Sequence, residues 1–260
     1  MRLPAAFTTL IWPLAMFAMP AAAIAAECSA HSGAQSVPLL ELYTSEGCSS
    51  CPPADKWLSS IADSGFGANK VVPLAFHVDY WDYIGWKDRF AKPMFTARQY
   101  EVATHNRAGF VYTPQLVFNG NDYRGGTSNS HFAEQLANIN RQPARANLGL
   151  SLTDNNEVRI SAQTALAKDR DYADVFVAVY ENKLKSMVNA GENSGSQLNH
   201  DYVVREWYGP FAMSSKSEAA WERIVPLKSE WKGRDAGVAT FVQNRKNGEV
   251  LQALSLPFCS

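Results

Sequence analysis

Two cysteines separated by two residues, Cys48-Ser49-Ser50-Cys51, stand between an apolar run, Val37 to Tyr43, and the segment Pro52-Pro53-Ala54-Asp55-Lys56-Trp57-Leu58, which reads as the opening turns of a helix. At a helix start the unpaired backbone N–H groups and the positive end of the dipole favour an anion, so a thiolate forms below the ordinary thiol pKa of ~8.5. The thiolate is the species that attacks a disulfide, and the spacing therefore predicts thiol–disulfide exchange. Cys48 takes the role of attacking or attacked sulfur, nearer solvent, and Cys51, one turn deeper, resolves the mixed disulfide. Ser49 and Ser50 can donate hydrogen bonds to the Cys48 thiolate, which stabilises the reduced form and makes the pair more oxidising. The competing readings are a static disulfide or half of a metal site. Zinc needs two further ligands, and the chain has no second Cys-x-x-Cys and no His-x-x-x-His. Copper held by the two thiolates and His77 is a further alternative. No cofactor is called for.

Further along, Asp79 to Asp88 carries four large aromatics (Tyr80, Trp81, Tyr83, Trp86) and three acids (Asp79, Asp82, Asp88) in ten residues. The aromatics could wall a groove beside the dithiol, with Trp81 and Trp86 binding substrate, or pack an inserted helix onto a sheet. The acids have no regular metal-ligand spacing. His77 reads as a hydrogen-bonded histidine rather than a ligand. Glu192, Asn193, His200 and Arg205 make a second polar cluster, explained by loop hydrogen bonding or by an interaction site, and Ala190 to Ser196 reads as an exposed polar loop.

Positioning these residues requires a strand over Val37–Thr44, a helix from about Cys51 to Ala62 ended by Gly65-Phe66-Gly67, and a second strand over Val71–Val78. Strand, helix, strand in that order implies a parallel pair. A helix follows over Pro93–Asn106, then a strand over Val111–Asn119 interrupted by Thr113-Pro114, a turn at Asn119-Gly120-Asn121-Asp122, and a return strand from Tyr123-Arg124. Ser128 or Ser130 caps a helix to about Asn140. After Arg141-Gln142-Pro143 the pattern changes to period two, with strands at Ala146–Leu152, Glu157–Ala162, Asp174–Tyr180, Tyr202–Trp207, Gly237–Gln243 and Val250–Ser255. The fold class expected is α/β with a helical insertion in its first half, followed by a β-rich, sandwich-like second half.

The first 26 residues have the form of a secretory signal: Arg2, an apolar core from Ala5 to Phe17, then Pro20 and a run of small residues. The apolar core is shorter than the ~20 residues of a spanning helix, so no membrane anchor is expected after cleavage. The full chain carries a net charge of −1 and the cleaved one −2, since Arg2 is the only charge lost. A near-neutral balance without a Lys/Arg block gives no electrostatic basis for binding nucleic acid or membrane lipid. The remaining 234 residues suffice for one large or two ordinary domains. All four cysteines survive cleavage. Cys28 and Cys259, at the two ends, suggest a structural bridge, leaving Cys48 and Cys51 to each other, although four cysteines allow three pairings. The bridge would close a loop worth roughly 5 kcal/mol in the chain-entropy model.

The first half resembles a thioredoxin-like domain, on the strength of the Cys48-Ser49-Ser50-Cys51 junction and of Thr113-Pro114 ahead of Gln115-Leu116-Val117-Phe118. The resemblance implies a cis bond at Pro114 facing the dithiol, and a Thr113 backbone offered to an extended substrate chain. Many such proteins carry a buried acid six residues before the first cysteine. Here Leu42 stands there, and Glu41 beside it could serve only if the strand register shifted by one.

More specifically, the chain is similar to the bacterial exported family catalogued as domain of unknown function 1223. Glu41 to Asp55, Val78 to Tyr83, Gly85 to Asp88, Tyr112 to Gln115, Gly191 to Gly195 and His200 to Arg205 carry that likeness, across essentially the whole mature chain. The family has no assigned reaction. Its fold and compartment agree with the division read from the residues: a signal peptide over residues 1–26, a thioredoxin-like domain over 27–142 and a β-rich domain over 143–260. The expectation is a periplasmic or secreted thiol-disulfide oxidoreductase acting on a protein dithiol, disulfide or redox partner of the cell envelope. The alternative is a non-catalytic binding module with a static disulfide.

Overall fold

The computed structural model describes residues 28–153, 155, 157–165, 167–213, 221–228 and 235–259. The segment expected to be a secretory signal, residues 1–26, and part of the expected Thr153–Asn156 turn lie outside them. In chain order the elements are β1 (Ser29–His31), β2 (Leu39–Thr44), α1 (Pro52–Ser59), β3 (Val72–His77), α2 (Pro93–His105), β4 (Gln115–Phe118), β5 (Asn121–Asp122), α3 (Asn129–Asn140), β6 (Ala146–Thr153), β7 (Glu157–Thr164), α4 (Ala167–Arg170), β8 (Ala173–Glu181), β9 (Leu184–Met187), β10 (Gln197–His200), β11 (Val203–Ala212), β12 (Trp221–Pro226), β13 (Ala236–Asn244) and β14 (Val250–Pro257). The architecture is mixed α/β and rich in sheet.

An eight-stranded sheet runs β14-β13-β8-β11-β3-β2-β4-β5 and mixes strands from both sides of residue 142. The expected parallel pair is present: β2 lies parallel to β3, with Leu39 opposite Val72 and Thr44 opposite His77. Both strands are buried along their whole length, which is why they read as near-continuous apolar runs rather than alternating ones. Successive residues of β2 nevertheless face different layers. Leu39 and Tyr43 join a cluster with Phe76, Phe95 of α2 and Phe241. Leu40 and Leu42 join another, with Trp57 and Leu58 of α1 and Phe132 of α3.

A second sheet, β1-β6-β7-β12, packs on the strands contributed by the second half. Strand β8 serves both cores by period two. Its Phe176 and Ala178 point into the first cluster, and Val175 and Val177 into that between the sheets. The Cys28–Cys259 disulfide joins the two ends of the described chain.

Three local expectations change. The strand expected from Val111 begins at Gln115, because Pro114 has no N–H to offer a ladder. The return strand begins at Asn121 rather than Tyr123: Asn119 and Gly120 both take positive φ, 52° and 85°, so two residues suffice to reverse the chain. The helix at α1 ends at Ser59 and the chain continues to Gly65 in turns.

Candidate functional site

The cysteines close a disulfide, Cys48–Cys51, in the loop between β2 and α1. Backbone hydrogen bonds wind this loop tightly. Cys48 N donates to Ser45 O at 3.1 Å and Cys51 N to Cys48 O at 3.2 Å. The carbonyl of Cys51 then accepts from Ala54 N and Asp55 N, at 2.9 and 3.1 Å, and starts α1. Pro52 and Pro53 fill the first helical turn, where a missing N–H costs nothing. Ser50 Oγ lies 3.4 Å from Cys48 Sγ, whereas Ser49 is engaged through its backbone.

Both sulfurs are enclosed. Cys48 is 1% exposed and Cys51 0%, so Cys48 is not the solvent-facing sulfur that the sequence suggests. Neighbours tie down the backbone around it. Asn193 Nδ2 donates to Glu46 O at 2.9 Å and to Cys48 O at 3.0 Å, and Ser49 N donates to the exposed Glu192 carboxylate at 3.0 Å. The Ser49 side chain first, and its backbone N–H second, hold the Glu192 carboxyl below its ordinary pKa. On the other side Gly47 presses against the aromatic segment so closely that an added Cβ would lie 3.1 Å from Trp81 Cβ and 3.3 Å from Ile84 Cδ1. The loop read as exposed, Ala190–Ser196, thus buries Asn193 against the dithiol.

The other candidate residues gather around this loop. The Thr113–Pro114 bond is cis. Trp81 Nε1 donates to Thr113 Oγ1 at 2.7 Å and Trp86 Nε1 to Glu46 Oε2 at 2.8 Å, so each half-buried indole is anchored by a hydrogen bond. Arg205, grouped by sequence with Glu192, Asn193 and His200, pairs instead with Glu181. His77 is hydrogen-bonded, as its sequence context suggests, through Nδ1 to Asp88.

Glu41 does not serve the dithiol. It faces away from α1 and forms a buried ion pair with Arg98, 3.1 Å from Oε1 to Nε, while Leu42 occupies the α1 side. The register is unshifted, and the buried acids on the dithiol side come from elsewhere.

Five ionisable side chains from separate segments pack together there, each nearly or fully buried: Glu46, Asp55, His77, Asp88 and His200. His77 Nδ1 and Asp88 Oδ2 are 2.6 Å apart. The His77 and His200 rings meet edge to face with centroids 4.9 Å apart. His200 Nε2 is 3.4 Å from Glu46 Oε1, and Nδ1 is 4.0 Å from Asp55 Oδ2, which accepts a hydrogen bond from Thr44 Oγ1 at 3.1 Å.

Environment separates the groups. Burial pushes the Asp55 carboxyl above its ordinary pKa despite opposing pulls from His200, His77 and the Thr44 hydroxyl. Burial acts on Asp88 in the same direction, but the His77 imidazolium and the Glu46 and Phe90 amides hold it low. His77 is the mirror case: burial opposes its charge, and Asp88 outweighs burial and raises it. Sequence reasoning missed Asp55, Glu46 and Asp88 as part of this site, because nothing in their spacing connects them to His200. Among the described residues no group of three or more His, Cys, Asp or Glu is arranged to hold a metal ion.

Residues 39–243 match the family model described as Protein of unknown function (DUF1223). The fold is similar to the X-ray crystal structure of a protein from Agrobacterium tumefaciens, with a TM-score of 0.65 and 27% identity over 86% of this chain and 95% of that one. It is also similar to HBP35 of Porphyromonas gingivalis, with a TM-score of 0.67 and 15% identity over 87% of this chain and 76% of that one, a likeness of fold alone. No curated protein matches the chain.

Proposed function

We propose that this chain, which belongs to the DUF1223 family of proteins of unknown function, is an exported thioredoxin-like protein that exchanges disulfides with envelope proteins through Cys48 and Cys51. The observation that carries the reading is the Cys48–Cys51 disulfide at the start of α1, after a parallel strand, with a buried cluster of ionisable groups on its inner side. A cis-proline next to Thr113, and Thr113 bonded to Trp81 of the segment packed on Gly47, support it further. In this reading Thr113, Pro114, Trp81 and Trp86 form the surface that receives a substrate chain. Two disulfides suit an oxidising compartment, and with the signal-like first 26 residues they favour a periplasmic or secreted location.

The enclosure of both sulfurs favours a second reading, a binding module whose disulfide stays closed. The reduction potential of the pair separates the two: a value between about −120 and −270 mV fits exchange, and one well below about −300 mV fits a static bridge. Trapping with Cys51→Ala in the exporting cell is the complementary test. A stalled mixed disulfide identifies the partner. Its absence, where a known oxidoreductase is captured, counts against exchange.

A further inference from the structure

We propose that Asp55 is the proton-transfer group of the Cys51 sulfur, and that His200 is its positioning partner, connecting it to solvent through a cavity beside α1. The inference rests on the exchange reading and adds to it the route of the proton.

Cys51 already has helical backbone angles, φ −77° and ψ −38°, and Asp55 N donates to its carbonyl. Residues i and i+4 of a helix share a face, with Cβ atoms about 5–6 Å apart. The Asp55 carboxyl therefore shares a helix face with the enclosed Cys51 sulfur, and it is itself only 6% exposed. Its Oδ2 is held by Thr44 and faces His200 Nδ1. His200 is 2% exposed, yet neither ring nitrogen has a hydrogen-bond partner. Apart from the 3.4 Å approach of Nε2 to Glu46 Oε1, the polar atoms of this buried ring are unengaged, and leaving such a group unsatisfied costs about 1–3 kcal/mol. A cavity of about 370 Å³ opens onto both residues, its wall including Pro52, Lys56, Gln197 and Asn199. Other charged or titratable groups facing the pair are Glu46 of the dithiol loop, His77 of β3, Asp88, and Lys56 and Asp201 at the cavity. Glu46 and Asp88 are held ionised and His77 is held by Asp88, which leaves Asp55, raised by burial, as the carboxyl poised to exchange a proton.

The chemistry balances with a partner dithiol as reductant. Its thiolate attacks Cys48 Sγ, the Cys48–Cys51 bond breaks, and the electron pair leaves on Cys51 Sγ. Cys51 takes the Asp55 proton, and Asp55 is reprotonated through His200 from water in the cavity. The partner's second thiolate then attacks its own mixed sulfur, leaving the partner oxidised and Cys48 as a thiolate. In the reverse direction the Asp55 carboxylate removes the Cys51 proton before Cys51 attacks the mixed disulfide.

The closing step can be followed without a natural partner. Full-length protein reduced at Cys48 and Cys51, with Cys28–Cys259 closed, is mixed with 5,5′-dithiobis(2-nitrobenzoate). The second thionitrobenzoate release reports Cys51 attacking the mixed disulfide on Cys48. Asp55→Asn is expected to slow this phase about 10–100-fold below pH 7 and to remove one inflection from its pH profile. Asp55→Glu restores part of the rate, and His200→Gln displaces the inflection. An unchanged rate and profile in folded Asp55→Asn overturns the proposal. Should that variant not fold, infrared difference spectra of the wild type decide. Followed in time as the disulfide is reduced, a transient deprotonation of a buried carboxyl is required, and its absence overturns the proposal equally. A static potential or empty trap would refute exchange with proteins while leaving this closing step measurable, so the two failures are distinguishable.

Discussion

Asn193 holds the carbonyl of Cys48 from 145 residues away in sequence, its side-chain amide donating at 3.0 Å and sharing its second N–H with the carbonyl of Glu46 at 2.9 Å. A residue of the second half thereby fixes the backbone that carries the disulfide of the first. Cys48 is enclosed, at 1% exposure, in the arrangement that Asn193 holds.

Asn193→Ala removes both hydrogen bonds and leaves the Glu46 carbonyl unsatisfied, while the Cys48 carbonyl keeps only its bond from Cys51 N. At about 1–3 kcal/mol for an unsatisfied buried group, the open population rises roughly tenfold. The second-order rate constant for reduction of Cys48–Cys51 by dithiothreitol is expected to rise by a similar factor. An unchanged rate means that the loop does not gate access to sulfur.

The His77–Asp88 pair sets a pH window. Asp88 has its folded pKa below the ordinary 3.8, so its contribution is present above 3.8 and lost as the pH falls through the folded value. His77 has its folded pKa above 6.5, so its contribution is complete below 6.5 and lost as the pH rises through the folded value. Both describe one interaction. Asp88→Asn is expected to cost about 3–5 kcal/mol near pH 5–6, and to lack the decline in stability that the wild type shows above pH 6.5. Denaturant unfolding across that range measures both.

The elements around the dithiol were legible because their signals are local. A buried parallel strand, a pair of prolines opening a helix, and Thr113-Pro114 ahead of a strand can each be read from a few consecutive residues. The acid–histidine cluster was not legible. Asp55 belongs to α1, His77 to β3, Asp88 to the aromatic segment and His200 to β10, and only the tertiary fold brings them together. Buried charges leave no periodicity, and a polar Gly191-Glu192-Asn193 loop looks exposed until its partner carbonyls are known. The alternation of β2 did contain one answer: with Leu42 facing α1, Glu41 had to face the other way.

Glu41 and Asp55 thus have separable roles. Glu41→Gln removes the counter-charge of Arg98, whose guanidinium is 2% exposed and stacked 5.0 Å from the Phe176 ring. With only the exposed Glu101 carboxylate left, 3.9 Å from Nη1, the buried cation costs about 3 kcal/mol. The closing rate of Cys48–Cys51 should nevertheless stay within about twofold of wild type wherever the variant is folded. A Glu41→Gln protein that closes as slowly as Asp55→Asn would place the proton acceptor on the wrong face of the sheet.

Trp86 and Trp81 can be told apart by what each indole N–H holds. Trp86 donates to Glu46 Oε2, and Glu46 Oε1 has no hydrogen-bond partner, so Trp86→Phe leaves a buried carboxylate with no side-chain donor in hydrogen-bond geometry. A loss of about 1–3 kcal/mol in unfolding free energy is expected, together with a small rise in the Glu46 pKa, which, against burial, His200 first, then Ser186 and Trp86, hold low. Trp81→Phe strands only the half-buried Thr113 hydroxyl, which water can reach, and should cost less than about 1 kcal/mol. If Trp81 receives a substrate chain beside Thr113, its replacement lowers mixed-disulfide capture by a Cys51→Ala protein while stability holds. Equal stability losses in the two variants, with capture unchanged, would make both indoles packing residues.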